Sequence, residues 1–299
     1  MARKPRPRSR AWNAWVGALL WVLAVVLMFA AAGYQRRTGP TYPVQGSFEL
    51  GGRSHAYELL RSHATTSGAP VSVPDPGEGA TARLWFKRFG TEDPFAPLPM
   101  RPEEGSLAGA LPAQPPAGKL EYFVRLRTAV GDEVRIPEGE TGSVVLRYKG
   151  EVPAAVLIAH VLAMFLSMLV GIRAALAALA GRAETRRLAW VALVLMTAGG
   201  LILGPIVQEY AFGQFWTGFP FGYDLTDNKL LIMWLVWVAA CAVLGRRVGR
   251  REAAGRVAVL AAATIMIVVF LIPHSLRGST LDYEKLDRGV APEEAIETG

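Results

Sequence analysis

Two of the four histidines in this 299-residue chain, His160 and His274, stand within or at the edge of long apolar stretches. A neutral imidazole in that setting is a candidate ligand for a metal ion or a haem iron, because it offers a lone pair without a charge that must be buried. His160 follows Pro153 by seven residues, which at the helical rise is about 10 Å below the start of its segment. It shares a helical face with Met164, Ser167, Met168 and Gly171. His274 follows Pro273, which marks the end of the last apolar run. His55 and His63, eight residues apart in a polar region, give no metal pattern and read as solvated loop residues. The single cysteine, Cys241, leaves no intramolecular disulfide and no thiolate cluster to consider.

The most unusual stretch lies between the two histidines, from Gln208 to Lys229, where seven aromatics fall within 14 residues. Phe215, Trp216, Phe219 and Tyr223 form a candidate cofactor platform. Asp224 sits among those rings, where a carboxylate needs a partner such as Lys229, Arg277 or a metal. An interfacial aromatic belt also accounts for the ring types. Asp224-Leu225-Thr226-Asp227-Asn228 offers hard oxygen ligands but departs far from a calcium-loop pattern.

Five apolar segments would position these groups: Trp15 to Ala32, Pro153 to Ala180, Leu188 to about Val207, Leu230 to Leu244 and Val257 to Pro273. Each is near the length needed to cross a bilayer. The formal net charge of +7 divides unevenly between the stretches that join them. The basic N-terminus, the Arg182–Arg187 connection, the Arg246–Arg256 connection and Arg173 together carry +12, while Tyr34 to Val152, Gln208 to Lys229 and His274 to Gly299 together carry −5. By the positive-inside rule the N-terminus is cytoplasmic, and the three net-neutral or acidic segments face outward. The same distribution explains the arginine clusters without nucleic acid. Gly200 and Gly204 form a small-x-x-x-small pair for close helix packing, and Pro205 predicts a kink. The first segment reads as a retained anchor, with a cleaved signal peptide ending at Ala30-Ala31-Ala32 as the alternative.

Between Tyr34 and Val152 the composition shifts to thirteen prolines and short alternating runs. Residues 82–88, 119–126 and 143–148 are the clearest strands, with weaker ones near Phe48, Tyr57, Val71 and Val134, while Pro94 to Pro116 reads as a long loop. In the 119–126 strand, Leu120, Tyr122, Val124 and Leu126 share one face. About seven short strands argue for a β-sandwich. The run Ala117 to Val124 resembles a late strand of fibronectin type III or immunoglobulin-like domains. The expected fold is therefore an α-helical polytopic membrane protein with five transmembrane helices and an inserted all-β immunoglobulin-like sandwich on the outer side. Its expected divisions are 1–33 (basic N-terminus and anchor), 34–152 (sandwich), 153–273 (four-helix transmembrane part with the 208–229 loop) and 274–299 (acidic outer tail).

The aromatic loop resembles the tryptophan-rich external segment of the haem-handling membrane proteins of cytochrome c maturation, in which W-G-x-x-W-x-W-D holds haem between histidines on flanking helices. Phe212-Gly213, Trp216 and Tyr223-Asp224 stand at the places of W-G, W and W-D, although only one tryptophan is present and Phe219-Pro220-Phe221-Gly222 lengthens the motif. The resemblance implies haem as cofactor, with His160 and His274 as axial ligands and Phe215, Trp216, Phe219 and Tyr223 as the platform. The sequence holds no G-x-S-x-G, H-E-x-x-H or phosphate-loop motif, so no reaction is assigned. The expected partners are the lipid bilayer of a bacterial cytoplasmic membrane and other membrane or periplasmic proteins. A non-enzymatic accessory or assembly subunit is the alternative to a haem protein.

Overall fold

The computed structural model describes residues 10–50, 52–77, 79–129, 131–139, 142–245, 252–273 and 278–297. The chain divides into two compact units, each discontinuous in sequence. One comprises Met1–Thr38, Ala154–Ile206 and Thr226–Pro273, and the other Gly39–Pro153, Val207–Leu225 and His274–Gly299.

The first unit is helical. It contains α1 (Arg10–Thr38), α2 (Ala154–Leu179), α3 (Thr185–Met196), a π-helical segment (Thr197–Leu203) that leads into α4 (Gly204–Phe212, of which Val207 onward belongs to the second unit), α5 (Leu225–Leu244) and α6 (Glu252–Leu271). Among the described residues, five helices, with α3 to α4 counted as one, are long and apolar enough to cross a membrane by length and composition. Their mutual core is built from alanine and methionine around Trp237, and includes Met168, Ala174, Ala192, Met196, Ala240, Cys241, Ala262 and Met266. Small side chains let helix backbones approach closely, which is where attraction between apolar helices comes from when no water need be displaced. Gly171 shows the tolerance: a Cβ there would lie 2.7 Å from Met266 Cε and 3.0 Å from Trp237 Cζ2. The large aliphatics instead point away from the core, with Leu19, Ile158, Leu162, Val194, Ile202 and Val268 all more than half exposed. This inverts the pattern of a soluble helix bundle, whose large aliphatics are buried.

Pro205 shapes the third span in the manner its chemistry dictates. It lacks an N–H, and the helix widens just before it, so that the Gly204 N–H bonds the Gly199 carbonyl five residues back. Of the two glycines expected to pack helices, Gly200 does so, since a Cβ would collide with Leu230 Cδ1 of α5. At Gly204 the nearest atoms stand at ordinary contact distance, and the close approach to α2 falls on Gly199, where a Cβ would lie 2.8 Å from that of Ala163.

The second unit is built on β-strands. A hairpin joins β1 (Val44–Leu50) to β2 (Arg53–Leu59). The largest sheet runs in the order β3 (Ser62–Ala64), β11 (Val144–Lys149), β9 (Lys119–Arg127), β5 (Thr81–Arg88), β6 (Ala96–Pro99), with β10 (Glu133–Ile136) also paired to β9. A third sheet orders β4 (Ala69–Pro74), β8 (Ser106–Leu111) and β7 (Arg101–Glu103). In the tail, β12 (Thr280–Leu281) pairs with β13 (Ile296–Glu297) across the short helix α7 (Tyr283–Asp287). Leu120, Tyr122, Val124 and Leu126 are all fully buried, as their alternation requires.

This arrangement corrects the expectation of an inserted immunoglobulin-like sandwich. Such a sandwich packs two antiparallel sheets drawn from one continuous segment. Here β3 runs parallel to β11 in a six-stranded sheet, the remaining strands form three smaller sheets, and the unit takes in the aromatic loop and the C-terminal tail. A single strand of the right alternation does not identify a fold, because period-two burial is common to every half-buried sheet. The stretch from Pro94 to Pro116 is likewise not a long loop, since it contains β6, β7 and β8. Its prolines fit because β6 and β7 lie at sheet edges, where a missing N–H breaks no ladder bond.

Candidate functional site

His160 is half-buried on α2 with its Nδ1 2.8 Å from the carbonyl oxygen of Gly199. That oxygen, which also accepts from the Gly204 N–H, can only accept, so Nδ1 is the donor, and in a neutral ring the lone pair is on Nε2. The widened turn before Pro205 and the ring of His160 thus meet at one carbonyl. Metal-ligating histidines are oriented in the same way, by a backbone carbonyl on the nitrogen that does not ligate. His274 and Arg277 lie outside the described residues. Among the described residues, no group of three or more His, Cys, Asp or Glu side chains is placed to hold a metal ion.

The aromatic loop belongs to the second unit and is braced by its own backbone. Asp224 N–H bonds the Thr217 carbonyl at 3.0 Å, Phe221 and Gly222 N–H both bond the Gly218 carbonyl, and Gln208 Nε2 donates to Thr217 Oγ1 at 2.7 Å. Trp216 turns its indole N–H onto the Phe219 carbonyl at 3.1 Å. Phe215, Phe219, Phe221 and Tyr223 are exposed, Tyr223 by 81%. Asp224 is buried within the loop, and the arginine charge it faces is Arg147 of β11, whose guanidinium also stands over the Phe212 ring. Burial pulls the Arg147 pKa down, and Asp224 pushes it back up. Arg147 thus feels the Asp224 carboxylate from a strand 77 positions earlier, and Lys229 donates to the Ile272 and Pro273 carbonyls at the end of α6.

A second cluster in the same unit has no counterpart in the sequence reading. Tyr283 is almost fully buried, and its hydroxyl accepts from the Lys119 N–H at 3.0 Å while facing the Lys119 carbonyl and Gln114 Oε1 at 3.0 and 3.1 Å. Lys119 Nζ reaches the Thr280 hydroxyl and the Gly278 carbonyl and stands 5.7 Å from the Phe89 ring centre. Burial first, and the neighbouring Arg147 charge second, lower its pKa to about 7. Arg88 adds a rim to this cluster, paired to Asp93 in the connection between β5 and β6 and to Asp287 of α7 at 2.7 Å. The tail reads in sequence only as an acidic outer segment, with Tyr283 not singled out.

A third cluster lies within the helical unit. Arg173 on α2 is 2% exposed and donates to Glu184 at 3.0 Å, with the Trp21 ring of α1 5.4 Å from its guanidinium carbon. Arg182 donates to the same carboxylate oxygen. Arg256 of α6 donates to the Gly181 carbonyl at 3.2 Å and to Glu252 at 3.0 Å. In sequence Arg173 reads only as a topological charge, although an arginine inside an apolar span demands a partner.

No family model matches the chain, and no curated protein matches it. Among solved structures, a β-1,2-glucanase from Parabacteroides distasonis aligns over 74% of this chain and 34% of its own length, at 8% identity and a TM-score of 0.21. The chain thus spans about a third of that enzyme, and a likeness at this level supports no statement about fold or activity.

Proposed function

We propose that the chain is an integral protein of a bacterial cytoplasmic membrane, with its N-terminus inside, that serves as a non-enzymatic accessory or assembly subunit. In this reading five spans anchor an outer unit that engages a membrane or periplasmic partner through its aromatic loop. One observation carries it. The three segments that make up the second unit are nearly the same three that the arginine distribution assigns to one side of a bilayer, although two independent properties define them. Exposed Phe215, Phe219, Phe221 and Tyr223 then supply the large apolar rings that dominate protein contacts. A photo-crosslinking side chain at Phe221 or Tyr223, in native membranes, is expected to capture a defined partner that the same group at exposed Arg101 does not. Equal capture at both sites, together with a monomeric protein in mild detergent, would end this reading.

A second reading, haem held at the outer ends of the helices, is favoured by one geometric fact: the His160 Nδ1 bond to Gly199 leaves Nε2 as the ligating nitrogen. Protein purified after expression with ample haem is then expected to show a Soret band that weakens in His160→Ala and His274→Ala. A colourless wild type would dispose of it.

A further inference from the structure

The arginine cluster of the helical unit has more positive charge than its carboxylates neutralise. Among the described residues, Arg173, Arg182 and Arg256 have two acidic residues, Glu184 and Glu252, among them, and both Arg173 and Arg182 converge on a single oxygen of Glu184. Nε and Nη1 of Arg173 and Nε of Arg256 are buried without a hydrogen-bond partner among the described residues. An unsatisfied guanidinium N–H in a nearly dry setting is costly, and a surplus charge there costs more. The cluster also has a built form: it joins the end of α2, the start of α3 and the start of α6, with Trp21 of α1 laid against Arg173. A Cβ at Gly17 would stand 3.6 Å from Arg182 Nη2, so four helices meet at these side chains. Arg182 and Arg256 keep part of their side chains accessible, at 22% and 31%, so the cluster has an open rim.

We propose that these arginines form a binding site for a phosphodiester group, supplied by the headgroup of an anionic phospholipid at the cytoplasmic face. The reading of the chain as a membrane protein underlies this proposal. A phosphodiester brings one negative charge and several acceptor oxygens, which suits forked guanidinium donors better than a lone carboxylate does. All three cations are arginine, and basic pockets between helices on the cytoplasmic side are where anionic headgroups bind. Arg173 is the buried floor of the site, while Arg182 and Arg256 form its rim.

The test uses the full chain in nanodiscs of phosphatidylcholine, with and without phosphatidylglycerol, and follows the melting temperature. Wild type is expected to melt about 5 °C higher when phosphatidylglycerol is present. The Arg256→Gln variant, which leaves the floor intact, is expected to match wild type in phosphatidylcholine and to lose the rise. A rise that persists in this variant, or no rise in wild type, overturns the site. Inorganic phosphate added to phosphatidylcholine discs separates the sources: if it reproduces the rise, the anion site stands and the lipid source falls. Protein that stays soluble without detergent and does not enter discs overturns the membrane reading, and the phosphate arm then decides the site on soluble protein.

Discussion

Arg173 in the helical unit and Lys119 in the β unit are both cations almost sealed from water, at 2% and 8% exposure, and they are handled in opposite ways. Arg173 has a carboxylate, Glu184, supplied eleven residues later along the chain. Lys119 has a hydroxyl, a carbonyl and an aromatic ring, and a second cation, Arg147, close enough to repel it. The difference follows from the side chains themselves. A guanidinium does not give up its proton under any ordinary condition, so a buried arginine must be paired. An ammonium can, and with its pKa brought down to about 7 Lys119 escapes the cost of burial by becoming neutral.

The largest effect is expected where the pairing is removed. Glu184→Gln strips Arg173 of its counter-charge and leaves a buried guanidinium uncompensated. Breaking a buried pair costs about 3–5 kcal/mol, which the one-third exposure of Glu184 reduces to about 2–4. Adding Arg173→Met to that variant is expected to recover most of the loss, because the charge that needed a partner is gone. Thermal melts of the two variants in one detergent check this. A neutral Glu184→Gln would mean that Arg173 is compensated by something other than its carboxylate.

Lys119 predicts a pH dependence with a definite sign. The unfolded chain holds the lysine proton up to its ordinary value of 10.5, whereas the folded chain releases it near 7. Between those values the unfolded state binds more protons, so stability rises with pH, and below about 7 the full penalty is present. The total is of the order of a few kcal/mol, spread over that window. Lys119→Met is expected to be more stable than wild type at pH 6 and to lose most of the rise between pH 7 and 10. Parallel denaturation curves across that range measure it, and an unchanged slope in the variant would place the lowered pKa elsewhere.

The two units also differ in how much of them could be read from the sequence. The five long apolar helices were legible because an apolar run of about 20 residues without turn residues favours a helix, and the boundaries of α2, α5 and α6 fall within about five residues of those expected. The β unit was legible strand by strand but not as a fold. The alternation of Leu120, Tyr122, Val124 and Leu126 says which face is buried, yet nothing local says that β3 will run parallel to β11 or that residues 278–297 will close against Ala117 and Lys119. Those pairings join residues more than 80 positions apart, and sequence periodicity has no reach at that distance. The candidate site shows the same limit. That His160 shares a helical face with Ser167 and Gly171 followed from its spacing, whereas its bond to Gly199 depends on the widened turn before Pro205.

Tyr283→Phe is expected to cost less, about 1–3 kcal/mol, and to report on how the tail is held. The hydroxyl is the acceptor for the buried Lys119 N–H, and the phenyl ring keeps the packing while removing that acceptor. Hydrogen exchange of the Lys119 amide is the direct readout, and its protection is expected to fall in the variant. The amide of Val124, farther along β9 where that strand pairs with Leu84 of β5, should be unaffected. Equal loss at both amides would mean that the whole strand, rather than its contact with the tail, depends on the hydroxyl.

The smallest effect is expected at Arg88, which makes the contrast with Arg173 sharpest. Its guanidinium engages Asp93 and Asp287 with geometry as good as any in the molecule, at 2.5 and 2.7 Å. By bond lengths alone it should outrank the pair of Arg173 and Glu184, whose contact is 3.0 Å. Its side chain is 31% exposed and that of Asp287 is 56%, however, so water solvates both charges before and after folding. Exposed pairs of this kind contribute about 0.2–1 kcal/mol. A double-mutant cycle on Arg88 and Asp287 is therefore expected to give a coupling within that range that fades at high salt. The same cycle on Arg173 and Glu184 should give a larger coupling that salt changes little. If the two couplings prove equal, burial is not what separates these arginines, and the difference between the units must then lie in how their backbones, rather than their dielectric surroundings, hold the charges.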